Sequence, residues 1–86
     1  MNYVVIDVRE PKEFQSGHVG GAFNIPPSQL MQGAPQLSDI PKDSNIIVYC
    51  RTGSRSKVAM NTLNTLGYKN ITNGINKEQV ETKFGI

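Results

Sequence analysis

The 86 residues, 37% of them hydrophobic, allow one domain (1–86) with a single modest core, and no tract is polar or repetitive enough for disorder. A net charge of +2 spread over scattered basic residues without interleaved aromatics argues against nucleic acid, and no apolar run is long enough to cross a bilayer. With one cysteine and one histidine the chain can close no internal disulfide and lacks the usual donor set of a metal site, so neither metal nor cofactor is expected.

Tyr3-Val4-Val5-Ile6 is short and rich in β-branched residues, which predicts a strand buried on both faces. Glu10-Pro11 opens a helical turn over Lys12 to Ser16, with Gly17 placed to close it. Ala22 to Ile25 reads as a second strand, halted by Pro26-Pro27, and Ser28 to Gln32 as another helical turn. Gly33 to Ser44 reads as loop, with two prolines and the turn formers Asp39, Asp43 and Ser44. Ile46 to Tyr49 is the third strand. The helix that follows should bury Val58, Ala59, Thr62, Leu63 and Leu66, expose Lys57, Asn61 and Asn64, and end at Gly67. Asn70 to Thr72 is a short strand. A last helix begins at Asn76, with Gln79 placed for a capping box, Ile75 stapled on Val80, and Phe84 one turn on. Phe14, Val19 and Phe23 read as core. Alternating strand and helix signals predict an α/β domain with a mainly parallel sheet and sites at the carboxyl ends of its strands.

Cys50 falls at such an end. An isolated cysteine is ordinarily a small buried hydrophobe. Here Arg51, Thr52, Gly53, Ser54 and Arg55 follow it directly, and a helix begins behind them. Gly53 is free to take positive φ, so successive N–H groups of the loop can converge on one point, a nest suited to an anion. Convergent N–H groups, a helix N-terminus and two permanently charged guanidinium groups all favour thiolate over thiol. The expected chemistry is nucleophilic attack by Cys50 through a covalent intermediate.

The chain resembles the single-domain rhodaneses, a family of thiosulfate sulfurtransferases. The resemblance rests on Asp7-Val8-Arg9-Glu10-Pro11-Lys12-Glu13-Phe14 with Gly17-His18-Val19-Gly20-Gly21-Ala22-Phe23-Asn24-Ile25-Pro26. It rests equally on Tyr49-Cys50-Arg51-Thr52-Gly53-Ser54-Arg55-Ser56 followed by a helix and Leu66-Gly67-Tyr68. It implies a small doubly wound domain with a four- to five-stranded, mainly parallel sheet flanked by helices. It further implies a two-step transfer in which Cys50 takes the outer sulfur of thiosulfate, sulfite leaves, and the persulfide passes its sulfur to cyanide or a thiol. The N–H groups of Arg51 to Arg55 would cradle that persulfide, and the Arg51 and Arg55 side chains would receive the anionic donor. Asp7, Arg9 and Ser56 would support the site without reacting. His18, in a glycine-rich turn, reads as a residue bonded to backbone, and Tyr49 should point away from the cysteine by strand alternation. Where many members have paired glycines and a tryptophan after the last strand, this chain has Asn73-Gly74-Ile75-Asn76.

Two other functions fit parts of the pattern. A phosphatase or arsenate reductase uses a similar cradle, but such loops carry one residue more between cysteine and arginine and usually a histidine ahead of the cysteine. Here four residues separate Cys50 from Arg55 and Tyr49 stands ahead, which favours sulfur. A noncatalytic sulfur-relay module, loaded by a partner protein, would keep the same loop. A monomer is the default expectation, and the missing secretory pattern predicts cytoplasm, or periplasm had a leader been removed.

Overall fold

A computed structural model describes residues 2–86. The elements run β1 (Tyr3–Asp7), α1 (Pro11–Gln15), β2 (Phe23–Asn24), α2 (Pro27–Met31), a 3-10 turn (Pro35–Leu37), β3 (Asn45–Cys50), α3 (Ser54–Thr65), β4 (Asn70–Asn76) and α4 (Lys77–Phe84). All strand pairs are parallel, in the order β2-β1-β3-β4. Four strands therefore form among the described residues, within the expected range. From β1 the chain first builds outward to β2 and then returns to the other side of β1 to lay down β3. That reversal leaves a crevice past the carboxyl ends of β1 and β3, where Asp7 and Cys50 stand.

Both faces of the sheet are covered, as the continuous apolar runs predict. Ile6, Ile46, Val48 and Cys50 pack with Leu30 of α2 and Ala59 and Leu63 of α3. Val5, Ile47 and Tyr49 pack on the opposite face with Val80 of α4. The Ile46-to-Cys50 alternation thus sends the thiol and the Tyr49 ring to opposite sides. Among the described residues no helix is long and apolar enough to cross a membrane.

Several local expectations are corrected. Strand β4 extends to Asn76 instead of stopping at Thr72, because pairing with β3 overrides the weak strand preference of Asn73-Gly74. It does so through a bulge: Val48 pairs with Asn73 and Tyr49 with Ile75, leaving Gly74 as the extra residue. A side chain at Gly74 would run into Val80 Cγ2 and lie 2.8 Å from Ile47 Cγ2, so only glycine lets α4 approach the sheet this closely. Ile75 sits at φ 74°, a conformation that β-branched residues rarely adopt. Its side chain lies against Gly53, and Ile75 is not among the partly buried residues packed on the cluster around Val80, where the staple was expected. Asn76 does cap α4, its Oδ1 accepting from the Gln79 N–H at 2.8 Å.

In α3 the buried stripe runs through Ser56, Ala59 and Leu63, and Val58 falls beside it at 65% exposure. Phe23 lies on the two-residue edge strand and is 37% exposed, while Phe14 stacks on His18 with ring centroids 3.6 Å apart; of the three only Val19 is fully core. Gly17 follows the end of α1 at Ser16 with φ 146°, its N–H reaching back to the Phe14 carbonyl at 3.2 Å. The Gly33–Ser44 stretch contains a 3-10 turn that buries Leu37, whose carbonyl accepts from the Tyr68 hydroxyl at 3.0 Å. Gly67 ends α3 as predicted, with φ 104° and the Tyr68 N–H reaching back to the Leu63 carbonyl.

Candidate active site

Beyond Cys50 the backbone curls through Arg51 and Thr52 into Gly53, which takes φ 91° and caps α3. That left-handed turn aims the Gly53 N–H at Cys50 Sγ, 3.1 Å away. Ser56, one turn into α3 and fully buried, brings its hydroxyl to 3.5 Å from the same sulfur. Burial pushes the thiol up, but the Ser56 hydroxyl and the N–H groups of Ser56, Thr52 and Gly53 outweigh it, bringing the pKa from 9.0 down to about 7. Half of the sulfur is thus ionised near neutrality. Cys50 is only 2% exposed, yet it floors an open cleft of about 570 Å³ walled by Arg9, Glu13, Arg51, Lys77 and Glu78.

Asn73 ties the loop to the sheet. Its Oδ1 accepts from the Ser56 hydroxyl at 2.6 Å and from the Ile75 N–H at 3.0 Å, and its Nδ2 donates to the Gly53 carbonyl at 3.1 Å. The left-handed turn at Ile75 therefore accompanies an N–H bond onto the Asn73 side chain. Spacing alone did not single out Asn73; the one signal was its place in the segment that departs from the paired-glycine pattern.

The cations divide into committed and uncommitted. Arg9 binds Asp7 through Nε and NH2, at 2.9 and 2.7 Å, and donates to the Gly17 carbonyl at 2.7 Å. Asp7 also accepts from the Tyr49 hydroxyl at 2.8 Å, and the Tyr49 oxygen accepts from the Val19 N–H at 3.0 Å. This buried cluster welds β1 to β3 and the following turn, and burial pushes the Tyr49 hydroxyl up to about 12. Arg55 forks onto Glu13, NH1 to Oε1 at 2.8 Å and NH2 to Oε2 at 3.1 Å, which holds that carboxyl at about 2. Glu13 belongs to the first motif, and only the fold brings it, across 42 residues, to the cysteine loop. Arg51 is exposed on the cleft wall and has no ion-pair partner among the described residues. The Thr52 and Ser54 hydroxyls lie 3.1 Å apart on the exposed rim. His18 stands outside the cleft with Nδ1 2.9 Å from the Phe14 carbonyl.

A parallel doubly wound sheet with one cysteine at its switch point, flanked by a short glycine-containing loop and a helix start, defines an α/β domain with a cysteine-centred cleft. The chain belongs to the rhodanese family: the rhodanese-like domain matches residues 1–76. It is 38% identical over 69 residues to the Thiosulfate sulfurtransferase PspE of Escherichia coli, covering 79% of this chain and 64% of that one. It is 45% identical over 69 residues to YqhL of Bacillus subtilis, covering 80% of this chain and 52% of that one. The chain thus spans between half and two thirds of the length of these relatives. Its fold superposes on the structure titled "rhodanese with anions from E. coli" with a TM-score of 0.79 at 31% identity, covering 91% of each chain.

Proposed function

We propose that this chain is a sulfurtransferase that carries a sulfane sulfur on Cys50, with thiosulfate among its donors. The Cys50 thiolate attacks the outer sulfur of the donor. The new Sγ–S bond forms as the donor's S–S bond breaks, and the electron pair departs with sulfite. An acceptor nucleophile, cyanide in the test tube or a thiol in the cell, then attacks the terminal sulfur and the thiolate is regenerated. No proton need be removed, which fits a site without a histidine.

The residues take distinct roles in this reading. N–H groups from Arg51 to Arg55 hold the anionic persulfide, Arg51 meets the incoming donor, and Ser56 steadies the sulfur. Asp7 and Arg9 fix the cleft floor. The carrying observation is the Gly53 N–H at 3.1 Å from a sulfur whose pKa stands at about 7. Incubation with thiosulfate should add the mass of one sulfur atom to the intact chain, and cyanide should remove it as thiocyanate. Cys50→Ser should gain nothing. Failure of the wild-type chain to gain mass from any sulfane donor would overturn the reading.

A further inference from the structure

The cleft's charges nearly cancel. Arg9 is neutralised by Asp7 and Lys77 by Glu81 at 3.2 Å, while Arg55, which lines the neighbouring groove, is neutralised by Glu13 of the cleft wall. On the wall that leaves Arg51 and Glu78 without ion-pair partners among the described residues. For a site meant to draw a dianion, Glu13 is in the wrong place: it spends one of the loop's two arginines and puts a fully ionised carboxylate on the same cleft as Cys50.

We infer that Glu13 is a donor-specificity residue, which by neutralising Arg55 turns Cys50 from dianionic thiosulfate toward weakly charged donors, the alkyl hydropersulfides. This rests on the sulfur-transfer reading above. With thiosulfate, thiolate and donor bring three negative charges together, and sulfite must leave carrying two. With a hydropersulfide, the thiolate attacks the terminal sulfur, the donor's S–S bond breaks, and its pair leaves as the alkyl thiolate. Cys50 becomes a hydropersulfide that keeps the donor's proton, and only one negative charge is present throughout. The Glu13 carboxylate therefore opposes the first reaction far more than the second. The backbone cradle serves both equally, because it binds the sulfur on Cys50 rather than the remainder of the donor.

The test loads Cys50 from thiosulfate and from the hydropersulfide of N-acetylcysteine methyl ester, whose carbon frame is uncharged, and follows intact mass over time. In Glu13→Gln the ratio of the thiosulfate rate to the hydropersulfide rate should rise about fivefold to tenfold. The thiosulfate rate of that variant should also fall more steeply with added potassium chloride than that of the wild type. Glu13→Asp keeps the charge and should hold the ratio within about twofold of the wild type. An unchanged ratio in Glu13→Gln overturns the inference, as does an equal rise in Glu13→Asp, which would trace the effect to packing. These outcomes leave sulfur transfer standing, whereas a wild-type chain that neither donor loads sinks the function and the inference together.

Discussion

Replacing Ser56 by alanine isolates the hydroxyl's share in keeping Cys50 ionised. The hydroxyl has one proton, which must turn from Asn73 Oδ1 at 2.6 Å to Sγ at 3.5 Å as the thiol ionises, so its net worth to the thiolate is set at about 1 kcal/mol, below the usual range for charged partners. One pKa unit corresponds to about 1.36 kcal/mol, so the thiol should rise by roughly 0.7 units. Starting from a midpoint of about 7, the thiolate fraction at pH 7 then drops from about half to about one sixth. The substitution orphans no buried group, because Asn73 Oδ1 keeps the Ile75 N–H at 3.0 Å. The assay is the rate of iodoacetamide alkylation against pH, with thiolate absorbance as a second readout. Ser56→Ala should react about threefold more slowly at pH 7 and match the wild type on the alkaline plateau. An unmoved midpoint would show that the hydroxyl does not favour the thiolate. A deficit persisting on the plateau would mean that access to the sulfur, not its ionisation, had changed.

Because the folded thiol titrates near 7 and the unfolded one near 9.0, the thiolate contributes stability in full above pH 9 and loses it as pH falls through 7. The stability gap between wild type and Cys50→Ser, read by urea unfolding, should therefore shift by on the order of 2 kcal/mol toward the wild type between pH 6.5 and pH 9.5; a constant gap would contradict the lowered pKa. Gly74→Ala should cost about 2–3 kcal/mol in the same assay, since the added methyl meets Val80 and Ile47 with no room to retreat. A loss below about 0.5 kcal/mol would mean that α4 yields easily. Arg55→Ala leaves the Glu13 carboxylate unpaired beside the cleft and should slow thiosulfate loading about tenfold, with Arg55→Ala/Glu13→Ala recovering most of the rate. If the double variant is as slow as the single one, Arg55 itself, not the exposed carboxylate, matters to the donor.

The core strands and the cysteine loop were readable because their causes are local. Tyr3 to Ile6 and Ile46 to Tyr49 are unbroken apolar runs, and such runs form strands buried on both faces wherever the sheet places them. Gly53 at φ 91° and Gly67 at φ 104° take conformations that few other residues could supply, so their identity announced their geometry. The placement of Tyr49 away from Cys50 followed from strand alternation alone.

What stayed hidden depends on partners distant in the chain. Asn73-Gly74 carries no strand signal and becomes strand only by pairing with Val48 and Tyr49 through a bulge. Asn73 reaches Ser56 and Gly53 because β4 and α3 happen to meet there, across 17 and 20 residues of sequence. The Glu13–Arg55 pair closes across 42 residues. Composition shows two loop arginines, whereas only their surroundings reveal that Arg55 is already neutralised and Arg51 is not. Propensity and turn chemistry act over a few neighbouring residues; charge pairing and close packing act through space, and here they set which cation a donor meets.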